Sequence, residues 1–247
     1  MAVGERIGKV KGEATDKLPE YFIAKEWRII MYPIFNIAGI ENHERNIEGN
    51  HAIIFLFVKP SDYEADSIIK QFNYLHHRSG KYCSIYSIGY SKSPSDDYPD
   101  IQEVTKVNGS KWYYSDQCFV EVCDQLGRRL KNWSYSGEPE MIILQNTSSM
   151  PRGTILDFRN YNYIDINYGI KKGYIDSFPR FMERIVNACK KEVVAKEVVN
   201  LANRKRLSGR KIFEFAMEMI CVNENFIIEN ILNDKMFFKS YHDKYIA

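Results

Sequence analysis

Four carboxylates, a basic cluster and a strand-to-helix corner are the places where this chain of 247 residues could do chemistry. Glu138 and Glu140 precede an apolar run, and Asp157 and Asp165 flank a stretch of strand character. Converging carboxylates can hold the divalent cations of a two-metal hydrolysis, which makes these four the candidate catalytic residues. Arg204, Lys205, Arg206, Arg210 and Lys211 surround a break at "LSGR" and form the strongest electrostatic feature. Phosphate contacts need clusters of this kind, although cations at a helix end also complement the helix dipole. Residues 180–211 carry ten basic and three acidic residues, a balance of +7 in a chain whose net charge is +2, which leaves −5 for the remainder. That asymmetry points to an anionic partner: a nucleic acid, another polyanion or an acidic protein surface.

Smaller constellations are weaker. Pro99-Asp100 with Glu103-x-x-Lys106 is similar to the Pro-Asp and Glu-x-Lys pattern of metal-dependent nucleases. The acidic pair is too closely spaced and the lysine falls one position late, so solvated loop charges are expected. Arg45 and His51 have the Arg-x5-His spacing of a motif in helical ribonuclease domains. That motif needs a helical bundle, whereas His51 opens a strand and Gly49 lies between the two residues; a polar loop is expected. His76 and His77 stand near a helix end with Cys83 on the next strand, but adjacent helical residues point about 100° apart and rarely reach one metal. The sequence therefore names no metal site. It has no phosphate loop, no Gly-x-Gly-x-x-Gly and no Gly-x-Ser-x-Gly elbow, so no cofactor is implied.

The elements that must position these residues are easier to read. Residues 53–58 are a continuous apolar, β-branched and aromatic run, the pattern of a strand buried on both faces. After Lys59-Pro60, Ser61-x-x-Glu64 forms a capping box, and Ala65, Ile68, Ile69, Phe72 and Leu75 continue at helical spacing until Gly80. Residues 82–88 read as a second strand, which the βαβ connection makes parallel to the first. Asn108-Gly109 supplies the positive φ angles of a tight hairpin. Ser115 or Asp116 caps a helix with Phe119, Val120, Cys123, Leu126 and Leu130 on its inner face. "MIIL" is a short buried strand, and the next stretch is one bent strand or two, reaching Asn167. Asp176-Ser177 with Pro179 starts a long helix that buries Phe178, Phe181, Met182, Ile185, Val186 and Cys189. Nearer the start, residues 27–32 suit a strand stopped by Pro33.

This gives an α/β protein: a mixed sheet with flanking helices. An arm is expected at residues 1–20, the α/β domain at 21–195 and a helical extension at 196–247. The order β-α-β, helix, β-β, helix resembles the thioredoxin-like fold, and Pro139, just before "MIIL", stands where that fold places a cis-proline. The resemblance implies a redox corner at residues 59–66, yet no cysteine lies there, so the thiol-disulfide chemistry is absent. Five cysteines without a CxxC point to reduced thiols in a cytoplasmic, soluble protein. The longest apolar run is far short of the roughly 20 residues that cross a membrane. Beyond residue 195 no strand is expected, and two amphipathic helices within residues 211–238 need a partner, either the α/β body or a second copy. The function that fits is a non-catalytic binding or adaptor protein within a larger assembly. The alternative is a metal-dependent, nuclease-like hydrolase acting on nucleic acid or nucleotides.

Overall fold

A computed structural model describes residues 31–47, 51–77, 82–146, 156–199 and 234–241. Its centre is β2 (Ala52–Phe57), in which every residue is buried. β2 lies between two neighbours of opposite sense: β3 (Cys83–Ile88) runs parallel to it, and β7 (Glu140–Asn146) runs antiparallel. β1 (Met31–Ile34) adds to β3 in parallel, and β8 (Leu156–Asp165) adds to β7 antiparallel. β9 (Phe238–Tyr241) completes a six-stranded mixed sheet of order β1-β3-β2-β7-β8-β9. The α/β class is thus established.

The crossovers carry the helices. α1 (Ile37–Glu44) follows β1, α2 (Ala65–Ile69) and α3 (Phe72–His76) join β2 to β3, and α4 (Asp116–Gly127) precedes β7. α5 (Ile166–Lys171) and α6 (Phe178–Val199) follow β8. α1 packs beside α4 and α3 beside α6; with β2 wholly buried, both faces of the sheet are covered. A second sheet, β4 (Tyr90–Ser91), β6 (Ser110–Tyr114) and β5 (Gln102–Val107), docks on α3 through Phe72 and Trp112, whose rings lie 5.9 Å apart. Asn108 and Gly109 turn its hairpin with φ of 50° and 75°, as the Asn-Gly pair predicts. α6 begins where Asp176-Ser177 and Pro179 place it, and its expected apolar face is buried.

Several expectations need correction. β1 continues through Pro33, which is tolerated because β1 is the edge strand and a missing N–H there can face outward. One long helix after Pro60 is replaced by α2 and α3, which end at His76, and Gly80 lies outside the described residues. On α4 the inner stripe is Cys118, Phe119, Val122 and Leu126, while Val120 is 51% exposed; capping at Ser115 sets that register. β8 is one strand, and it ends at Asp165 because that side chain caps α5, so Asn167 is helical. Among the described residues no peptide bond is cis, so Pro139 does not supply the expected cis-proline. Past residue 195 a strand does occur: Asp234 fixes a turn through Met236 N–H at 2.9 Å, and the chain then pairs with β8. α6 itself runs through Ala195 to Val199. The arm at 1–20 and residues 200–233, which hold most of the expected C-terminal helices, lie outside the described residues.

Candidate functional site

The corner after β2 is built around Asp62, not Ser61. Asp62 Oδ2 accepts the Lys59 N–H at 2.8 Å and the Tyr135 hydroxyl at 2.9 Å, which closes the turn. Ser61 is exposed, Glu64 takes a left-handed φ of 68°, and α2 starts after it with no side-chain cap, so the expected capping box does not form. Burial raises the Asp62 pKa, while its two hydrogen bonds pull the other way. Beneath the turn, Phe57 packs on Trp133 and Phe119 on Tyr135, with ring centroids 5.0 and 4.9 Å apart. Lys59 Nζ reaches Asp116 Oδ1 at 3.0 Å, and the Tyr114 hydroxyl donates to the same oxygen at 2.9 Å. Tyr63 alone among these aromatics points to water, 67% exposed, with the Lys171 ammonium 5.9 Å from its ring centroid.

Glu140, at the first position of β7, is fully buried. It accepts Trp133 Nε1–H at 2.9 Å, Ser136 N–H at 3.1 Å and the Tyr163 hydroxyl at 3.2 Å. Burial pushes its pKa up to about 7 against those three donors. Asp165 is the cross-strand neighbour of Glu140. It spends one oxygen on the Tyr168 N–H at 2.7 Å, and burial raises its pKa too. Glu138 lies near Lys171 at 3.9 Å. Asp157 stands eight positions along β8 from Asp165, roughly 26 Å away at strand spacing. Burial would raise it, but hydrogen bonds from Arg159 and Asn160 outweigh burial and hold it low. Glu138, Glu140 and Asp165 thus share one end of the sheet, Asp157 is elsewhere, and no group of three His, Cys, Asp or Glu among the described residues could hold a metal ion.

The weaker motifs have structural duties. Asp100 accepts from the Ser115 hydroxyl at 2.6 Å and Gln117 N–H at 3.0 Å, anchoring the start of α4, and Glu103 pairs with Lys111 at 2.6 Å. His76 and His77 meet only as perpendicular rings 5.3 Å apart. Cys83, Cys118 and Cys189 are buried, and burial pushes the Cys118 thiol up to about 12. Cys221 and the basic residues Arg204, Lys205, Arg206, Arg210 and Lys211 lie outside the described residues.

Sequence reasoning missed a second region. At the β1 edge a pocket of about 400 Å³ is walled by Tyr32, Phe35 and Tyr90, with His43, Tyr86 and Lys92 in its lining. Behind it the Tyr86 hydroxyl donates to Glu44 Oε1 at 2.5 Å, and His43 Nδ1 meets the same hydroxyl at 2.5 Å. His51 Nε2 lies 2.7 Å from Glu44 Oε2, and both side chains are buried. Burial would raise Glu44, but His51 and the Tyr86 hydroxyl outweigh it and hold the carboxyl low. Burial lowers His43, with Glu44's charge acting the other way. The local signal is present, since His43, Glu44 and His51 fall within nine residues, but the Arg-x5-His spacing pairs His51 with Arg45 rather than with Glu44. Tyr86, the partner of His43 and Glu44, is more than 40 positions away and carries no mark of its role in the sequence.

Comparison with protein-family models, with curated proteins and with solved structures finds no match to this chain. Among the described residues no helix is long and apolar enough to cross a membrane.

Proposed function

We propose that the chain carries a thioredoxin-like domain without thiol-disulfide chemistry, and that it acts by binding, as an adaptor or accessory subunit of a larger cytoplasmic assembly. The fold part of this reading is supported by the element order: β2, α2–α3, β3, α4, β7, β8 and α6 occur in the sequence the resemblance requires, with the second sheet inserted between β3 and α4 and α5 between β8 and α6, and the four strands share one mixed sheet. The observation that carries the functional part is the corner after β2. Where a redox site would hold a nucleophile, Asp62 Oδ2 is engaged by Lys59 and Tyr135, and both oxygens of Glu140 by Trp133, Ser136 and Tyr163. These bonds hold the turn and the sheet end in place, which is a structural duty. What the corner does offer outward is Tyr63, an amphipathic ring beside the Glu138–Lys171 pair, which suits a protein contact.

The test is direct. The full chain, tagged and isolated from its own cells, should migrate well above 29.0 kDa in complex with a partner, and Tyr63→Asp should release that partner while leaving the melting temperature unchanged. Reduction of a dithiol substrate that disappears in a cysteine-free variant would overturn the reading. So would metal-dependent breakdown of DNA or RNA, which would favour the hydrolase alternative. The basic residues 204–211 remain the proposed contact for nucleic acid or another polyanion.

A further inference from the structure

The edge pocket contains a proton balance that can be solved. The Tyr86 hydroxyl has one proton and two short contacts, Glu44 Oε1 and His43 Nδ1, each at 2.5 Å, while the Ser84 side chain also hydrogen-bonds to it and to Glu44, as a donor. Glu44 is held as a carboxylate and can only accept, so the phenol proton belongs to that contact. The phenol oxygen must then accept from His43, which places a proton on Nδ1. A neutral imidazole protonated at Nδ1 carries its lone pair on Nε2. That nitrogen has no hydrogen-bond partner among the described residues. Its direction is fixed, because Tyr32 covers the imidazole at a ring separation of 3.9 Å and itself stacks on Tyr86 at 5.5 Å. His51 holds the far oxygen of Glu44 and so fixes the relay from behind.

The remaining lining narrows what could meet this acceptor. Tyr32, Phe35 and Tyr90 offer ring faces and edges, which favour an offset-stacked aromatic ligand over a flexible chain. Lys92 contributes a cation, and no carboxylate is among the described residues that line the pocket. The volume suits a small molecule. A metal is a poor occupant, since no group of three ligating side chains exists among the described residues.

We propose that this pocket binds a small aromatic acid bearing its own hydrogen-bond donor, with His43 Nε2 accepting from the donor and Lys92 meeting the acid group. Tyr86, Glu44 and His51 are positioning residues that set the imidazole tautomer. This inference does not depend on the adaptor reading, and its test uses the isolated full chain.

Calorimetric titration with 4-hydroxybenzoate, benzoate and phenol separates the elements. 4-Hydroxybenzoate should bind about tenfold more tightly than either of the others, the worth of one hydrogen bond or one weak ion contact. In His43→Phe that advantage over benzoate should vanish while benzoate affinity holds. Lys92→Met should weaken both acids and leave phenol unchanged. Long-range proton–nitrogen correlation spectra should show His43 protonated at Nδ1, and Tyr86→Phe should shift the ring toward the other tautomer. The proposal is overturned if none of the three probes binds, if all bind equally, if the His43→Phe variant keeps the preference, or if His43 carries its proton on Nε2.

Discussion

The corner after β2 and the pocket beside β1 use similar parts to opposite ends. Each has a buried glutamate, Glu140 in one and Glu44 in the other, and each glutamate takes a tyrosine hydroxyl. At the corner, three donors converge on Glu140 and the network closes on itself. At the pocket, the chain His51, Glu44, Tyr86, His43 ends at an imidazole in the pocket lining. The two networks therefore differ in reach: that of Glu44 runs to the lining of a cavity, and that of Glu140 ends among its own donors. The carboxylates also differ in charge state, since Glu140 is pushed up to about 7 and Glu44 is held low.

The largest expected effect comes from breaking the link between the two. Gly89 has φ of 82°, donates its N–H to Ile34 O and accepts from Ser115 N–H, so it ties β1 to α4. A Cβ there would sit 2.8 Å from Phe119 Cβ in a conformation that disfavours side chains. Gly89→Ala should cost about 3 kcal/mol or more in urea unfolding, and both regions should lose order together.

Next is Glu140→Ala, which strands three buried donors and should cost about 3 kcal/mol at pH 5. The pH dependence sharpens the contrast. A folded pKa of about 7, above the unfolded value of 4.5, stabilises the protein fully below pH 4.5, and that contribution fades as pH rises to 7. The wild type should lose up to about 3 kcal/mol across that window. The alanine variant should lack this slope, so its deficit shrinks by pH 8; an unchanged slope in denaturant melts would refute the assignment.

Tyr86→Phe comes third, at about 1–2 kcal/mol, because Glu44 keeps His51 while His43 loses its anchor. Smallest is Ser61→Ala, within about 0.5 kcal/mol, since the exposed serine caps nothing. Asp62→Ala, by contrast, should cost about 1–2 kcal/mol, having lost two hydrogen bonds.

Features that depend on local periodicity were legible: the buried run of β2, the Asn-Gly hairpin and the apolar face of α6 each follow from neighbours a few residues apart. Features that depend on distant partners were not. The capping box satisfied a local pattern, yet Tyr135, 73 positions from Asp62, decides the turn. The three donors of Glu140 include Tyr163, 23 positions away, which the sequence around Glu140 does not announce. Tyr86 looked like one more strand aromatic, because nothing local reveals that α1 lays His43 and Glu44 against it.

β9 has a consequence for how the molecule is made. Its partner β8 is an outer strand until β9 arrives, and the Tyr168–Asp234 hydrogen bond that holds the turn before β9 closes a separation of 66 positions. Closing so long a loop is slow, and its entropy must be met before the pairing contributes. On the ribosome, the side of β8 that β9 later covers therefore stays open after the parallel strands have been synthesised. During that interval an unpaired ladder can recruit another nascent copy. At the opposite margin of the described sheet, Pro33 removes one donor from β1 from the start.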